Sequence, residues 1–125
     1  MKSPRVLIVD DEKDIADVLK RGLSLKGIDV DAFSDPLEAL AEFKPGRYDF
    51  VVMDIRMPRM NGFDLYRGIR SQDANVRVYF LSAYDNLQNE VNAMLSADAL
   101  AGFLRKPISY SELAKLLLSE ARMLT

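Results

Sequence analysis

Along the chain, short unbroken apolar runs alternate with stretches in which apolar residues recur every three or four positions. RVLIVD (5–10) is such a run, the pattern of a strand buried on both faces. Ile15, Val18, Leu19, Gly22 and Leu23 then follow helical spacing and predict a helix over roughly 13–26. IDVDAF (28–33) alternates like a strand nearer an edge. In SDPLEAL, Asp35 stands as an N-cap and Pro36 as the first helical residue, and PGR (45–47) stops that helix. YDFVVMD (48–54) is a second apolar run ending in an acid. A loop with Pro58 and Gly62 leads to a helix around 63–71, and VRVYFLS (76–82) predicts a fourth strand. Leu87, Val91, Met94 and Leu95 are spaced for a fourth helix, and GFLRKP (102–107) for a short fifth strand. In the last predicted helix Ser109 and Glu112 have the spacing of a capping box, ahead of Leu113, Leu116, Leu117 and Ala121 as its buried face.

Five strands alternating with five helices indicate an α/β sandwich with a parallel sheet. A length of 125 residues suits one compact domain, and no linker or low-complexity segment divides it, so a single domain is expected over 1–125. No apolar run approaches the ~18 residues of a membrane span, and the N-terminus does not read as a signal peptide, so the expected address is the cytoplasm.

Composition narrows the chemistry. The chain is 49% hydrophobic and 29% charged, ordinary for a globular protein, and its net charge of −2 argues against a nucleic-acid footprint. It has no Cys and no His, which removes thiol chemistry, thiolate or imidazole metal sites and an imidazole base. Carboxylates, hydroxyls, Lys and a hard metal remain.

In open parallel sheets, sites form at the carboxyl ends of strands where the strand order reverses. For the common order 2-1-3-4-5 that crevice lies between strands 1 and 3, the two that end in Asp10–Asp11 and Asp54. Strands 4 and 5 bring Ser82 and Lys106 to the same rim. Three converged carboxylates need a cation, and oxygen-only ligation favours Mg²⁺, with Mn²⁺ as a substitute. A carboxylate between a divalent ion and an ammonium can act as a nucleophile towards phosphorus. Each group also has a plainer role: Asp11 can cap the first helix, Asp54 can be a loop acid, and Lys106–Pro107 a turn.

LIVDDE, VVMDIRMPRMNGFD, FLSAYD and FLRKP, in that order and spacing, give the chain its likeness: it resembles the receiver (phosphoacceptor) domain of two-component response regulators over essentially its whole length. The resemblance implies a flavodoxin-like (βα)5 three-layer sandwich. It implies Asp54 as phosphoacceptor, Asp11 as a direct Mg²⁺ ligand, Asp10 as a ligand mainly through water, and the backbone carbonyl of Arg56 as a further ligand. Ser82 would hydrogen-bond the phosphoryl group and Lys106 pair with it. Phe103 would be the switch aromatic that turns inward when Ser82 is drawn to the phosphoryl group; without the resemblance it is a plain core aromatic. Arg56 and Tyr84 would tune dephosphorylation, a bulky Tyr84 excluding the attacking water and slowing self-hydrolysis. A cis Lys106–Pro107 bond is also implied.

The implied function is a phosphorylation-controlled signalling switch, not an enzyme in its own right beyond self-catalysed phosphoryl transfer and slow autodephosphorylation. It would accept the phosphoryl group from a histidine kinase or phosphotransfer protein and reshape the face made by the fourth helix, fifth strand and last helix. Nucleic acid and membrane are not expected as direct partners. The output partner or domain, the cognate kinase and a phosphorylation-dependent dimer stay open. MLSADALAGFLRKP departs from the family pattern by about two extra residues before Phe103, so a longer or re-routed segment is expected at 94–102. A flavodoxin-like cofactor binder is disfavoured by the acids of DDEKD, and an Asp-nucleophile phosphatase by DIR in place of Asp-x-Asp. A receiver-like interaction module that is never phosphorylated is the remaining alternative.

Overall fold

A computed structural model of the chain describes residues 3–83 and 100–123. Among them are five strands, β1 (Arg5–Val9), β2 (Asp29–Phe33), β3 (Phe50–Asp54), β4 (Arg77–Ser82) and β5 (Leu100–Arg105). Four helices accompany them: α1 (Lys13–Leu25), α2 (Pro36–Glu42), α3 (Gly62–Gln72) and α4 (Tyr110–Met123). The strands form one parallel sheet in the order β2-β1-β3-β4-β5, as expected. The predicted helix around 87–95 lies outside the described residues.

The apolar runs are continuous because both faces of the sheet are covered. Leu7, Val9, Val51, Met53, Val78 and Phe80 point towards α2 and α3, where they pack with Ala39, Leu65 and Ile69. Val6, Ile8, Phe50, Val52, Tyr79 and Leu81 point the other way, towards Leu19 and Leu23 of α1 and Leu113 and Leu117 of α4. Strand residues alternate between the two cores, giving three layers.

The predicted helix signals are realised with adjustments. Asp35 caps α2, its Oδ1 accepting from the Leu37 N–H at 3.0 Å with Pro36 at the first position. Ser109 Oγ accepts from the Glu112 N–H at 3.1 Å and lies 3.1 Å from Glu112 Oε1. In α1 the buried seam is Ala16, Leu19, Gly22 and Leu23, while Val18 is 55% exposed despite its helical spacing. In α4 the fully buried residues are Leu113, Ala114 and Leu117, with Leu116 and Ala121 half-buried at the margin. A helix on one side of a sheet buries a narrow stripe, so apolar residues at the stripe's edge stay wet.

β5 starts earlier and stops earlier than its sequence pattern predicts. Val78 pairs with Leu100 but Tyr79 pairs with Gly102, so Ala101 is an extra residue in a bulge. Gly102 has φ +155°, a conformation that side chains rarely adopt. One surplus residue before Phe103 is thus absorbed inside the strand; the rest of the unusual segment, 94–99, lies outside the described residues. The strand ends before Pro107, which has no N–H for the ladder.

Candidate functional site

Four strand ends deliver the site. Asp10 and Asp11 follow β1, Asp54 closes β3, Ser82 closes β4 and Lys106 follows β5. Because β1 and β3 are neighbours in parallel register, with Val9 opposite Met53, their terminal acids are thrown together. One carboxylate oxygen from each of Asp10, Asp11 and Asp54 lies within 4.8 Å of the others. Asp10 is fully buried and Asp54 is 8% exposed.

Lys106 inserts its ammonium between the acids. Nζ is 2.9 Å from Asp10 Oδ2 and 3.0 Å from Asp54 Oδ2, with Glu12 Oε1 further out at 3.8 Å. The Lys106–Pro107 peptide is cis, and the Lys106 N–H donates to the Ser82 carbonyl at 2.9 Å, which ties the two strand ends. The second Asp54 oxygen, Oδ1, accepts from the Ile55 N–H at 2.9 Å, so the carboxylate is held on both sides. Asp10 Oδ1 accepts from the Glu12 N–H at 3.0 Å.

These contacts set the charge states. Burial pushes the Asp54 carboxyl above its ordinary value; Lys106 pulls it back through hydrogen bond and charge, while Asp10 and Asp11 push it up again, and the net direction is upward. For Lys106, burial acts downward, but its pairing with Asp10 and Asp54 outweighs that and raises it. The acids therefore keep the ammonium charged, while the Asp54 carboxylate has less positive charge around it than its burial calls for.

The loop after β3 is built to pass close by. Gly62 N–H donates to the Ile55 carbonyl at 2.7 Å, and a Cβ on Gly62 would sit 2.5 Å from the Asp54 carbonyl oxygen and 2.9 Å from Ile55 Cα. Asn61 caps α3 through its side-chain oxygen, which accepts from the Asp64 N–H at 2.9 Å. Arg59, at φ +73°, pairs with Asp35 at 3.0 Å. The Met-Pro-Arg-Met-Asn-Gly stretch is thus a tight loop whose asparagine and glycine have structural duties.

A pocket of about 300 Å³ opens over Asp54, lined by Asp11, Glu12, Ile55, Arg56, Ser82, Ala83 and Lys106. Of the expected site residues, Asp10, Asp11, Asp54, Arg56, Ser82 and Lys106 are brought together here, Asp10 lying beneath as the partner of Lys106. Phe103 is not in the pocket. It is half-buried and stacks on Phe80 with ring centroids 5.8 Å apart, at the margin of the α2–α3 core. Tyr84 lies outside the described residues. Asp11 does not cap α1: the N-cap is Glu12, and it makes no side-chain cap either. Glu12 and Gly62 had no role in the sequence-based site; the third acid of DDE and the glycine of MNG were the available signals.

The donor set fits a hard divalent cation. It is all oxygen, it gathers three carboxylates within bonding reach of one point, and a single ammonium only partly balances them. Among the described residues no helix is long and apolar enough to cross a membrane.

A parallel five-stranded α/β sandwich with an acid cluster and a lysine at its switch point defines the class, and sequence comparison names it. The profile of the response regulator receiver domain matches residues 6–118, and the chain belongs to this family. It is 40% identical over 113 residues to the transcriptional regulatory protein PrrA of Mycobacterium leprae, covering 90% of this chain and 48% of that protein. To the response regulator MprA of a Mycobacterium species it is 37% identical over 109 residues, covering 87% of this chain and 46% of that protein. The chain thus spans about half the length of the curated relatives it matches. Among solved structures it is similar to the Francisella response regulator 1452 receiver domain, with TM-score 0.80, 31% identity, and 98% and 100% of the two chains covered. It is also similar to the response regulator TrrA of Thermotoga maritima, in complex with Mg(2+)-BeF, with TM-score 0.75, 32% identity, and 95% and 98% covered.

Proposed function

We propose that the chain is a phosphorylation-controlled switch, a single domain over 1–125 that accepts a phosphoryl group on Asp54 in a Mg²⁺-dependent reaction. The observation that carries this is the Asp54 carboxylate held by the Lys106 ammonium at 3.0 Å and the Ile55 N–H at 2.9 Å, beside Asp10 and Asp11 and under an open pocket. The donor would be a histidine kinase or phosphotransfer protein, in keeping with the two-component family.

In the transfer, an Asp54 oxygen forms a bond to phosphorus as the phosphorus–nitrogen bond of phosphohistidine breaks, its electron pair staying on the imidazole. A bound Mg²⁺, held by Asp11, Asp54 and the Arg56 carbonyl with Asp10 behind water, would supply positive charge for the phosphoryl oxygens; Mn²⁺ suits the same ligands. Lys106 supplies the remaining charge. Once Asp54 is an acyl phosphate its carboxylate charge is gone, so it holds the ammonium less strongly, and Lys106 can turn part of its pairing to the phosphoryl group. Ser82, at the pocket wall, offers a hydroxyl to a phosphoryl oxygen. Ser82 and Phe103 sit on neighbouring strands, two registers apart, with Phe80 pairing with Phe103 and Ser82 with Arg105. Movement of Ser82 would therefore be felt at the Phe80–Phe103 stack, and through it along β5, part of the face expected to be reshaped.

Following the receiver pattern, Arg56 and Tyr84 would tune dephosphorylation, a bulky Tyr84 excluding the attacking water and slowing self-hydrolysis, and the chain would act as a switch rather than as an enzyme in its own right. Tyr84→Ala should lose its phosphoryl group faster than wild type.

Incubation with Mg²⁺ and acetyl phosphate, followed by intact-mass measurement, tests the assignment. Wild type should gain one phosphoryl group, and Asp54→Asn or chelated wild type none. No adduct in wild type, with no retention of beryllofluoride, would turn the reading over to an unphosphorylated interaction module.

A further inference from the structure

Glu12 holds the N-cap position of α1, where short polar side chains normally bond the first helical N–H groups. Its side chain makes no such bond. The carboxylate instead stands at the mouth of the Asp54 pocket, 63% exposed, with Oε1 3.8 Å from Lys106 Nζ. Its place is fixed from below, because its backbone N–H is bonded to the buried Asp10. At 3.8 Å the Lys106 contact is too long to be a hydrogen bond, and the ammonium already has nearer partners in Asp10 and Asp54. What Glu12 brings to the pocket is therefore its charge.

That charge faces incoming phosphodonors. Asp10 and Asp54 are offset by Lys106, and a Mg²⁺ held by the acid cluster would offset them further, whereas Glu12 sits outside them at the entrance. We infer that Glu12 is a specificity-determining residue that disfavours small doubly charged phosphodonors relative to donors with less charge at phosphorus. The inference rests on Asp54 being phosphorylated. Coulomb repulsion scales with donor charge: at neutral pH acetyl phosphate is a dianion, while phosphoramidate, like phosphohistidine, carries its phosphoryl group beside a protonated nitrogen. Glu12 thus favours transfer from a phosphohistidine over adventitious labelling by metabolic acyl phosphates.

The measurement is self-phosphorylation of the whole chain with Mg²⁺ at pH 7, read by phosphate-affinity gel. Acetyl phosphate and phosphoramidate are each used at low and high salt, on wild type and Glu12→Gln. Gln is nearly isosteric and removes no cap bond, so the fold is kept. The substitution should speed acetyl phosphate labelling about fivefold and phosphoramidate labelling about twofold, the orders expected for a charge a few ångströms away in near-aqueous surroundings. The gap between donors should close at high salt, where the Debye length falls to about 3 Å. Equal factors for both donors, or a gap indifferent to salt, would overturn the role of Glu12. Absence of label in wild type from both donors would overturn the Asp54 assignment itself, and this inference with it.

Discussion

Gly62 is the residue whose replacement most directly tests how the site loop is held. Helical geometry is no obstacle to Ala at this first position of α3, where Ala gains up to ~1 kcal/mol over Gly. The obstacle is space. The added Cβ would lie 2.5 Å from the Asp54 carbonyl oxygen and 2.9 Å from Ile55 Cα, both backbone atoms of the strand end that carries the site. Overpacking against atoms that cannot rotate away costs about 1–3 kcal/mol. The Gly62–Ile55 hydrogen bond, 2.7 Å long, would be stretched at a further cost of ~0.5–1.5 kcal/mol. The net loss is about 2 kcal/mol. With an unfolding entropy of ~2.1 cal/mol/K per residue over 125 residues, each kcal/mol moves Tm by about 4 °C, so Gly62→Ala should melt about 8 °C below wild type. Gly68→Ala is the control. Its Cβ would meet the end of the half-buried Leu40 side chain at 2.8 Å, which can turn aside, and the helix gains Ala. Thermal unfolding followed by circular dichroism should place Gly68→Ala at or above wild type. A Gly62→Ala variant melting as high as Gly68→Ala would refute the close-approach reasoning.

Lys106→Met leaves Asp10 and Asp54 as buried carboxylates without their cation, and urea titration at neutral pH should show a loss of about 3 kcal/mol; an unchanged midpoint would mean the ion pairs contribute nothing. The pH response of Asp54 has a definite sign. Its folded value is raised, so its contribution to stability is full below the ordinary carboxylate value and is lost as pH rises through the folded one. The stability of Asp54→Asn relative to wild type should therefore grow as pH rises from about 4, and a shrinking difference would contradict the direction of the shift. Tyr48→Phe removes the 2.7 Å hydrogen bond from the Tyr48 hydroxyl to Asp31 Oδ2, which also holds Arg47, and should lower Tm by about 4 °C for ~1 kcal/mol. For Asp31, burial acts upward but Tyr48 and Arg47 outweigh it, so its stabilisation is present above the ordinary carboxylate value and lost on acidification; the Tyr48→Phe deficit should narrow in acid.

Much of this protein follows from its sequence alone. The unbroken apolar runs at 6–9 and 50–53 could be satisfied only by burial on both faces, and that requires helices on both sides of a parallel sheet. Asp35–Pro36 and Ser109–Glu112 announced helix starts through local bonding that needs no tertiary partner. The acids at two strand ends and the lysine after a third were legible as chemistry once a strand order was assumed. Helical spacing, by contrast, did not say that Val18 would face solvent while Ala16 was buried, because that depends on how α1 is rolled against the sheet. Nor did the pattern of DALAGFLRKP show that Ala101 would bulge out of register with β4, since register is a relation between strands far apart in the chain. The ammonium of Lys106 shared by Asp10 and Asp54, the backbone packed against Gly62, and Glu12 turned from its own helix to the pocket mouth were decided only by the assembled sheet. Periodicity reports the local backbone and one side's burial; contacts between segments tens of residues apart come from strand order and packing, which no local pattern encodes.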